Sequence, residues 1–378
     1  MRKLFFINIL LLMLVWSCTP NSAPQEVEGN KVQMHYSDLL TLTDCEGYIY
    51  AEIANPWDST SPLHRYILID KEAEVPENLP AGDIIRTPIS NAVVYTSVHC
   101  SLINQLGAYD CIKGVCDLKY IKLDQLQKDV EAGKVRNLGE GTNPIIEDII
   151  DMQADAILLS PFQNSGTYGK LGKIGIPIIE CADYMETSAL GRAEWMKFYG
   201  ILTGKTYEAD TTFTALEKRY NELKSLASQN ERKGKQKVIT DLKFGNTWYV
   251  PGGQSTVGRL LADAGAAYLF AERTESGSIP LAPEEVFDRA IDADVWVLKY
   301  NQATDKTYAE IEQEYANYAN IKAFKQRNVY GCNTAVSAFY EETPFHPDLL
   351  LKDYIKILHP ELLPDYKLRY YKKIEDEK

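Results

Sequence analysis

Histidines and cysteines are the side chains of this 378-residue chain best suited to acid–base, nucleophilic or metal chemistry, and their spacing supports little of it. His346 and His359 each stand directly before a proline, the setting of a turn or a helix start. His99 follows a strand-like run and is the one histidine placed at a cleft. Cys111 and Cys116 have no second matching pair, so no metal site is assigned to them. No G-x-S-x-G elbow, H-E-x-x-H helix or phosphate-binding loop occurs. What recurs at the ends of strand-like runs is aromatic. The segments Tyr95–His99, Ser160–Tyr168 and Asn246–Gly253 carry Tyr95, Phe162, Tyr168, Trp248 and Tyr249, and Arg259 comes next as a cationic partner for an anionic ligand. Ring faces suit large, flat or apolar ligands, so the chemistry is capture rather than bond-making. The candidate ligand residues are Tyr95, His99, Phe162, Tyr168, Trp248, Tyr249 and Arg259; no catalytic residue and no protein-held cofactor is assigned.

The amino terminus carries its own chemistry. Met1-Arg2-Lys3 is a basic start, and Leu4–Trp16 is an apolar run broken only by Asn8, short for a membrane span and shaped like a signal peptide. Val15-Trp16-Ser17-Cys18 resembles a bacterial lipobox, which implies cleavage before Cys18 and a lipid on its thiol. Residues 19–30 have no apolar period and read as a tether. The chain is therefore expected to be lipid-anchored in the bacterial cell envelope, facing the periplasm. Disulfides are permitted there, and Cys45, Cys100, Cys111, Cys116, Cys181 and Cys332 are left as buried thiols or one or two disulfides of unassigned pairing. The net charge of −13 offers no basic face to nucleic acid and suits docking on a basic partner.

The elements that must position the aromatic loops are set by periodicity. Tyr48–Ile53 and Arg65–Ile69 read as strands around an Asn55-Pro56-Trp57-Asp58 turn, giving a β-hairpin extension over 31–85. From 86 to 186 strand-like runs (Ala92–Thr96, Ile112–Val115, Ala156–Leu159, Ile176–Ile179) alternate with helical ones. The segment 187–235 is helix-permissive, with Ala209, Phe213, Leu216, Tyr220, Leu223 and Ala227 on one stripe and Thr203-Gly204-Lys205 interrupting once; it reads as two helices or one bent one, which if straight would span on the order of 60 Å. The alternation resumes over 236–363, with Trp296 as a core residue of Val295–Leu298, and 364–378 is left as a tail. The fold class is α/β: two Rossmann-like lobes with parallel sheets joined by a long α-helical linker, plus an N-terminal β extension. Two such lobes, facing each other by the carboxyl ends of their strands, enclose a cleft.

Several segments together resemble the ABC-importer binding proteins that carry cobalamin, haem and iron siderophores, the class III, helical-backbone periplasmic binding proteins. They are Asn143 to Leu158, Trp248 to Leu269 with Gly252-Gly253, Glu284 to Val295, and His346 to Leu362. Gly191-Arg192-Ala193-Glu194-Trp195 looks most like lipoprotein members from Bacteroides-type bacteria. The resemblance covers about residues 86–363. It implies a metal chelate as cargo, an ABC permease and its ATPase as partners, a monomer, and no enzymatic activity. It further implies that one glutamate on each lobe meets the permease, Glu147 on the first and Glu285, with Glu284 as alternate, on the second. Arg192, Glu194 and Trp195 are expected to tie the lobes together.

Three other readings compete. A free-metal binding protein would need several convergent His, Asp or Glu ligands. An exported enzyme on the same scaffold would need a titratable pair in the cleft. A sensor lipoprotein would bind without delivering.

Overall fold

The computed structural model describes residues 27–163, 168–229 and 234–376. The signal peptide, Cys18 and most of the tether lie outside the described residues, as do positions 164–167 of the second aromatic loop and 230–233 after the helical segment. Among the described residues no helix is long and apolar enough to cross a membrane.

The first element is larger than a hairpin. β1 (Asn30–Lys31), β2 (Leu40–Cys45), β3 (Tyr48–Ala54), β4 (Pro62–Asp70) and β5 (Asp83–Thr87) form one five-stranded sheet in chain order. The first four strands run antiparallel and β5 returns parallel to β4. The expected hairpin is its β3–β4 centre. β2 escaped the sequence reading because only Leu40 and Leu42 mark its buried face, with threonines between and beyond. One face, with Leu42, Ala51, Ile53, Tyr66, Leu68 and Ile85, is continuous with the main core, while Tyr50, Ile67 and Ile69 form a small cluster on the other. Two carboxylates clasp the segment leading into the sheet. Glu194 accepts the backbone N–H groups of His35, Tyr36 and Ser37, and Glu186 those of Asp38 and Leu39. Glu194 thus ties down the N-terminal segment rather than bridging the lobes.

The first lobe is a parallel sheet. β6 (Ala92–Val94), β7 (Ile112–Val115), β8 (Arg136–Asn137), β11 (Ala156–Leu159) and β12 (Ile178–Glu180) lie in the order β12-β11-β6-β7-β8. A small hairpin, β9 (Gly139–Glu140) with β10 (Asn143–Pro144), and helices α1 (Ser97–Gln105), α2 (Asp124–Glu131) and α3 (Ile146–Asp151) complete it. Every residue of β6 and β11 is buried, as expected of parallel strands covered on both faces. The strand order reverses between β6 and β11, the place where open α/β sheets bind ligands.

The helical connection is folded rather than extended. α4 (Ala189–Glu194) starts on the Ser188 side chain, which accepts from the Gly191 N–H. α5 (Met196–Thr203) ends on Gly204 in the left-handed region, φ +68°. α6 (Thr206–Ser228) then packs back on α5 so closely that a Cβ on Gly200 would sit 2.6 Å from that of Ala209. The connection is therefore broken at the Thr203-Gly204-Lys205 interruption, as expected of two helices, and the longer one has 23 residues and is about 35 Å long. Of the predicted stripe all but Leu223 are buried.

The second lobe repeats the plan. β13 (Lys237–Thr240), β16 (Ala267–Tyr268), β18 (Val295–Tyr300) and β19 (Val329–Asn333) are parallel in the order β16-β13-β18-β19, and β20 (Lys372–Lys373) closes the edge antiparallel. The expected tail, 364–378, thus supplies an edge strand and the buried Tyr370, Tyr371 and Ile374. A three-stranded sheet of β14 (Lys243–Phe244), β15 (Thr247–Pro251) and β17 (Ser278–Leu281) sits beside β13. Helices α7 (Thr256–Asp263), α8 (Pro283–Ala290), α9 (Tyr308–Glu314), α10 (Lys322–Lys325), α11 (Phe339–Glu342) and α12 (Pro347–Leu358) surround the lobe. Gly252 and Gly253 are required by close approach, since a Cβ on either would fall 2.1 Å from a backbone oxygen, of Glu275 and Ala271 respectively.

The lobes meet where the loops at the carboxyl ends of their strands face each other. Lys122, beyond β7, donates its backbone N–H to Glu341 at 2.7 Å and its ammonium to the carbonyl oxygens of Ser337, at 2.9 Å, and Thr334, which lie beyond β19. Thr256 donates to the Glu186 carbonyl at 3.2 Å. On the outer side α6 packs on α12, with Arg219 paired to Asp348 at 2.7 Å.

Candidate functional site

A cavity of about 1030 Å³ opens at the carboxyl ends of β6 and β11, at the reversal of strand order. Tyr95 and Thr96 come from the end of β6, Asp117 from beyond β7, Asn143 to Glu147 from β10 and the start of α3, and Leu159, Ser160, Phe162, Tyr168 and Lys170 from beyond β11. Among the described residues, none of the second lobe lines it. Of the two aromatic rims read from the sequence, only the first-lobe one lines this cavity.

Three of the seven candidate ligand residues meet here: Tyr95, Phe162 and Tyr168. Phe162 is 62% exposed, a large apolar ring left in water beside a cavity. Tyr95 edges the cavity, but its hydroxyl turns inward to a buried place beside the Cys116 thiol. Burial first, and then the neighbouring Cys116, push its ionisation up. Tyr168 has a left-handed backbone, φ +55°, and its hydroxyl donates to Glu180 at 2.5 Å. The other oxygen of Glu180 lies 3.1 Å from His64 Nδ1, and His64 Nε2 lies 3.0 Å from Asp83. The cavity loop is thus tied through Glu180 to the N-terminal sheet. Burial opposes a charge on His64, but its hydrogen bonds to Glu180 and Asp83 outweigh that and its ionisation is raised.

The remaining four stand elsewhere. His99 is 2% exposed and committed within the core. Its Nε2 lies 2.8 Å from Asp183 and 2.9 Å from the Tyr199 hydroxyl, and its Nδ1 meets Thr96. Burial disfavours the charge of Asp183, but the charges of His99 and Arg192 prevail and hold its carboxyl below the usual range. His99 therefore fixes the start of α1 rather than touching a ligand, and Arg192 serves the same cluster through its 3.0 Å bond to Asp183. Trp248 is fully buried, donates to the Thr240 carbonyl at 3.1 Å and packs with Trp296 and Tyr318. Its neighbour Tyr249 points the other way on β15 and is half exposed, as strand alternation requires. Arg259 donates to Gln254, just before its own helix, at 2.9 Å. The two docking candidates are both exposed, in the first turns of α3 and α8, and Glu284 is exposed beside Glu285.

The sequence reading missed an ion pair on the second lobe. Lys299, near the end of β18, reaches Asp241, just past β13, at 2.6 Å. Burial opposes the ammonium charge, yet Asp241 raises its ionisation. The signal was present: a lysine directly after the apolar run Val295–Leu298 marks where a parallel strand leaves its core. Cys45, Cys100, Cys111, Cys116, Cys181 and Cys332 are free thiols, all but Cys45 buried. Among the described residues no group of three or more His, Cys, Asp or Glu is placed to hold a metal ion.

Known proteins share this plan. A family model described as periplasmic binding protein matches residues 93–335. Two uncharacterized lipoproteins of Methanocaldococcus jannaschii are each 26% identical, one across 100% of this chain and 98% of its own length, the other across 99% and 100%. Among solved structures, a possible iron-binding (periplasmic solute-binding) protein of Staphylococcus epidermidis has a TM-score of 0.55 at 17% identity, covering 72% of this chain and 99% of its own. A periplasmic heme-binding protein of Pseudomonas aeruginosa gives 0.55 at 14%, covering 72% and 93%. The molybdate-binding protein MolA of Haemophilus influenzae gives 0.57 at 17%, covering 75% and 90%. At such identities the structural likeness concerns the fold, whereas the family match spans both lobes and the helices between them. The chain belongs to the periplasmic binding protein family.

Proposed function

We propose that the chain is the solute-binding component of an ABC importer, that it captures a metal chelate (a ferric siderophore, haem or cobalamin), and that it passes this cargo to a permease driven by its ATPase. The observation that carries the reading is the cavity of about 1030 Å³ at the strand-order reversal, edged by Tyr95, Phe162 and Tyr168. That volume is at the upper end of small-molecule sites and exceeds what a bare ion requires. Backbone groups and ring edges around it suit a broad, partly apolar cargo. Solved relatives of the same fold are described as binding iron, heme or molybdate. Attachment through a lipid on Cys18 accords with relatives named as lipoproteins, while the Bacteroides-type envelope and its periplasmic face rest on the sequence resemblance alone. In this reading the protein works as a monomer.

Glu147 and Glu285, exposed on separate lobes, are assigned to docking on arginines of the permease, where two carboxylates register two lobes on a two-fold partner. The test of the cargo is an absorbance spectrum of protein purified from its native host. A haem, corrin or ferric-siderophore band that copurifies and is lost on Phe162→Ala supports the reading; colourless protein that binds none of these on titration refutes it. For docking, Glu147→Ala with Glu285→Ala is expected to lower uptake and leave cargo affinity unchanged. An equal loss of affinity would remove the docking role.

A further inference from the structure

A second cavity, of about 780 Å³, lies between the N-terminal sheet and the β12 edge of the first lobe. Phe162 and Tyr168 line both this chamber and the cleft cavity, so the two share a wall. One side is built by the Asn55–Asp58 turn with His64 on β4 and Asp83 on β5, the other by the approach to β12 and its last residue, Glu180. The chemistry is one-sided. Asp58, Asp83 and Glu180 line the chamber, and among the described residues no lysine or arginine does. Even a protonated His64 leaves the carboxylates in excess. Glu180 is nearly spent on Tyr168 and His64, but the Asp83 side chain is 57% exposed and has accepting capacity left. Trp57 and Phe162 add aromatic surface to the same walls. A concave site with excess negative charge and ring faces recognises an organic cation, by ion pairing and by cation–π attraction together.

We propose that this chamber binds the ammonium group of a small organic amine, seated against Trp57 and Phe162 and paired with Asp83. The wall that carries Trp57 and Asp83 comes from an N-terminal sheet outside the family-matched residues, and the proposal does not need the importer reading. The full chain is titrated calorimetrically with benzylamine, benzyl alcohol and benzoate, three probes of one shape and three charges. Benzylamine is expected to bind about tenfold more tightly than benzyl alcohol, and benzoate more weakly than either. Asp83→Asn and Trp57→Ala, both at partly exposed positions, should each weaken the amine about fivefold, with melting lowered only slightly, for Asp83→Asn because it removes one charge partner of His64. Asp117→Asn, in the cleft cavity alone, should leave it as it was. A flat benzylamine titration, equal affinity for the alcohol, or amine binding indifferent to both Asp83→Asn and Trp57→Ala would overturn the proposal.

Discussion

Phe162 and Trp248 share one sequence setting, an aromatic ring in a loop near the end of a parallel strand, and the two lobes treat them in opposite ways. Phe162 comes three residues after the end of β11 and is 62% exposed at the rim of a cavity, whereas Trp248 is fully buried. The difference is the small sheet β14–β15–β17. It lies over the end of β13 in the second lobe, and Trp248 is its inward residue, bonded to the Thr240 carbonyl and packed tilted or edge-on among Trp296 and Tyr318. The first lobe has no such cover among its described residues: β11 runs out into a loop, and Phe162 stays at the surface. A strand end presents a ligand surface only where no further layer has been added, and a sequence window around one strand does not show that layer.

The sharpest way to break this contrast is to truncate both rings. Trp248→Ala should cost about 3–5 kcal/mol, because it opens a large void in a packed core and leaves the Thr240 carbonyl without its donor. Phe162→Ala should shift stability by no more than about 0.5 kcal/mol while removing cargo affinity. Denaturant melts of the two variants side by side check both, and similar losses would mean that the two rims are alike after all. Next in size is Lys299→Met. It strands Asp241 at the second-lobe rim, where both side chains are 21% exposed. The expected loss lies between the surface and buried cases, about 2 kcal/mol. The double variant Lys299→Met with Asp241→Asn should recover part of it; no recovery would show that the pair is not coupled.

The same contrast explains what was legible. The alternation of apolar runs and helical stripes sufficed for two parallel sheets and for the α6 stripe, because those patterns answer to burial within a few residues. Pairing was harder. β5 and β20 are edge strands of mixed or charged composition, recruited by sheets whose other strands lie far away in sequence, so the N-terminal extension read as a hairpin and the last residues as a tail. The reversal at Gly204 was visible as an interruption. The fold-back was not, since it depends on Gly200 meeting Ala209 across the turn. At the site, residue type failed where partners decide. His99 has the position of a ligand residue, but Asp183 and Tyr199, both distant in sequence, claim its ring. Glu180 and His64 carried no signal, because their link to Tyr168 is made by the docking of an entire sheet.

That docking gives the smallest of the expected effects and a direct way to sharpen the comparison, since the first lobe has its rim tied to an added sheet by a titrating histidine. His64 sits between Asp83 and Glu180 and its ionisation is raised in the folded chain, against the opposing effect of burial. A group held protonated by folding stabilises fully below its unfolded value, about 6.5 for histidine, and that contribution is lost as the pH climbs through the higher folded value. The network is partly exposed, so the contribution should stay below about 1 kcal/mol. Amide exchange in β4 and β5 is expected to quicken between mildly acidic and mildly alkaline pH, beyond the intrinsic rise with pH seen at second-lobe amides. Tyr168, whose hydroxyl rests on Glu180, should loosen with it. His64→Gln, which keeps a donor but cannot take a charge, should abolish the excess pH dependence. If the excess survives that substitution, the titrating link between sheet and cavity loop does not exist, and the first-lobe rim is held by its packing alone.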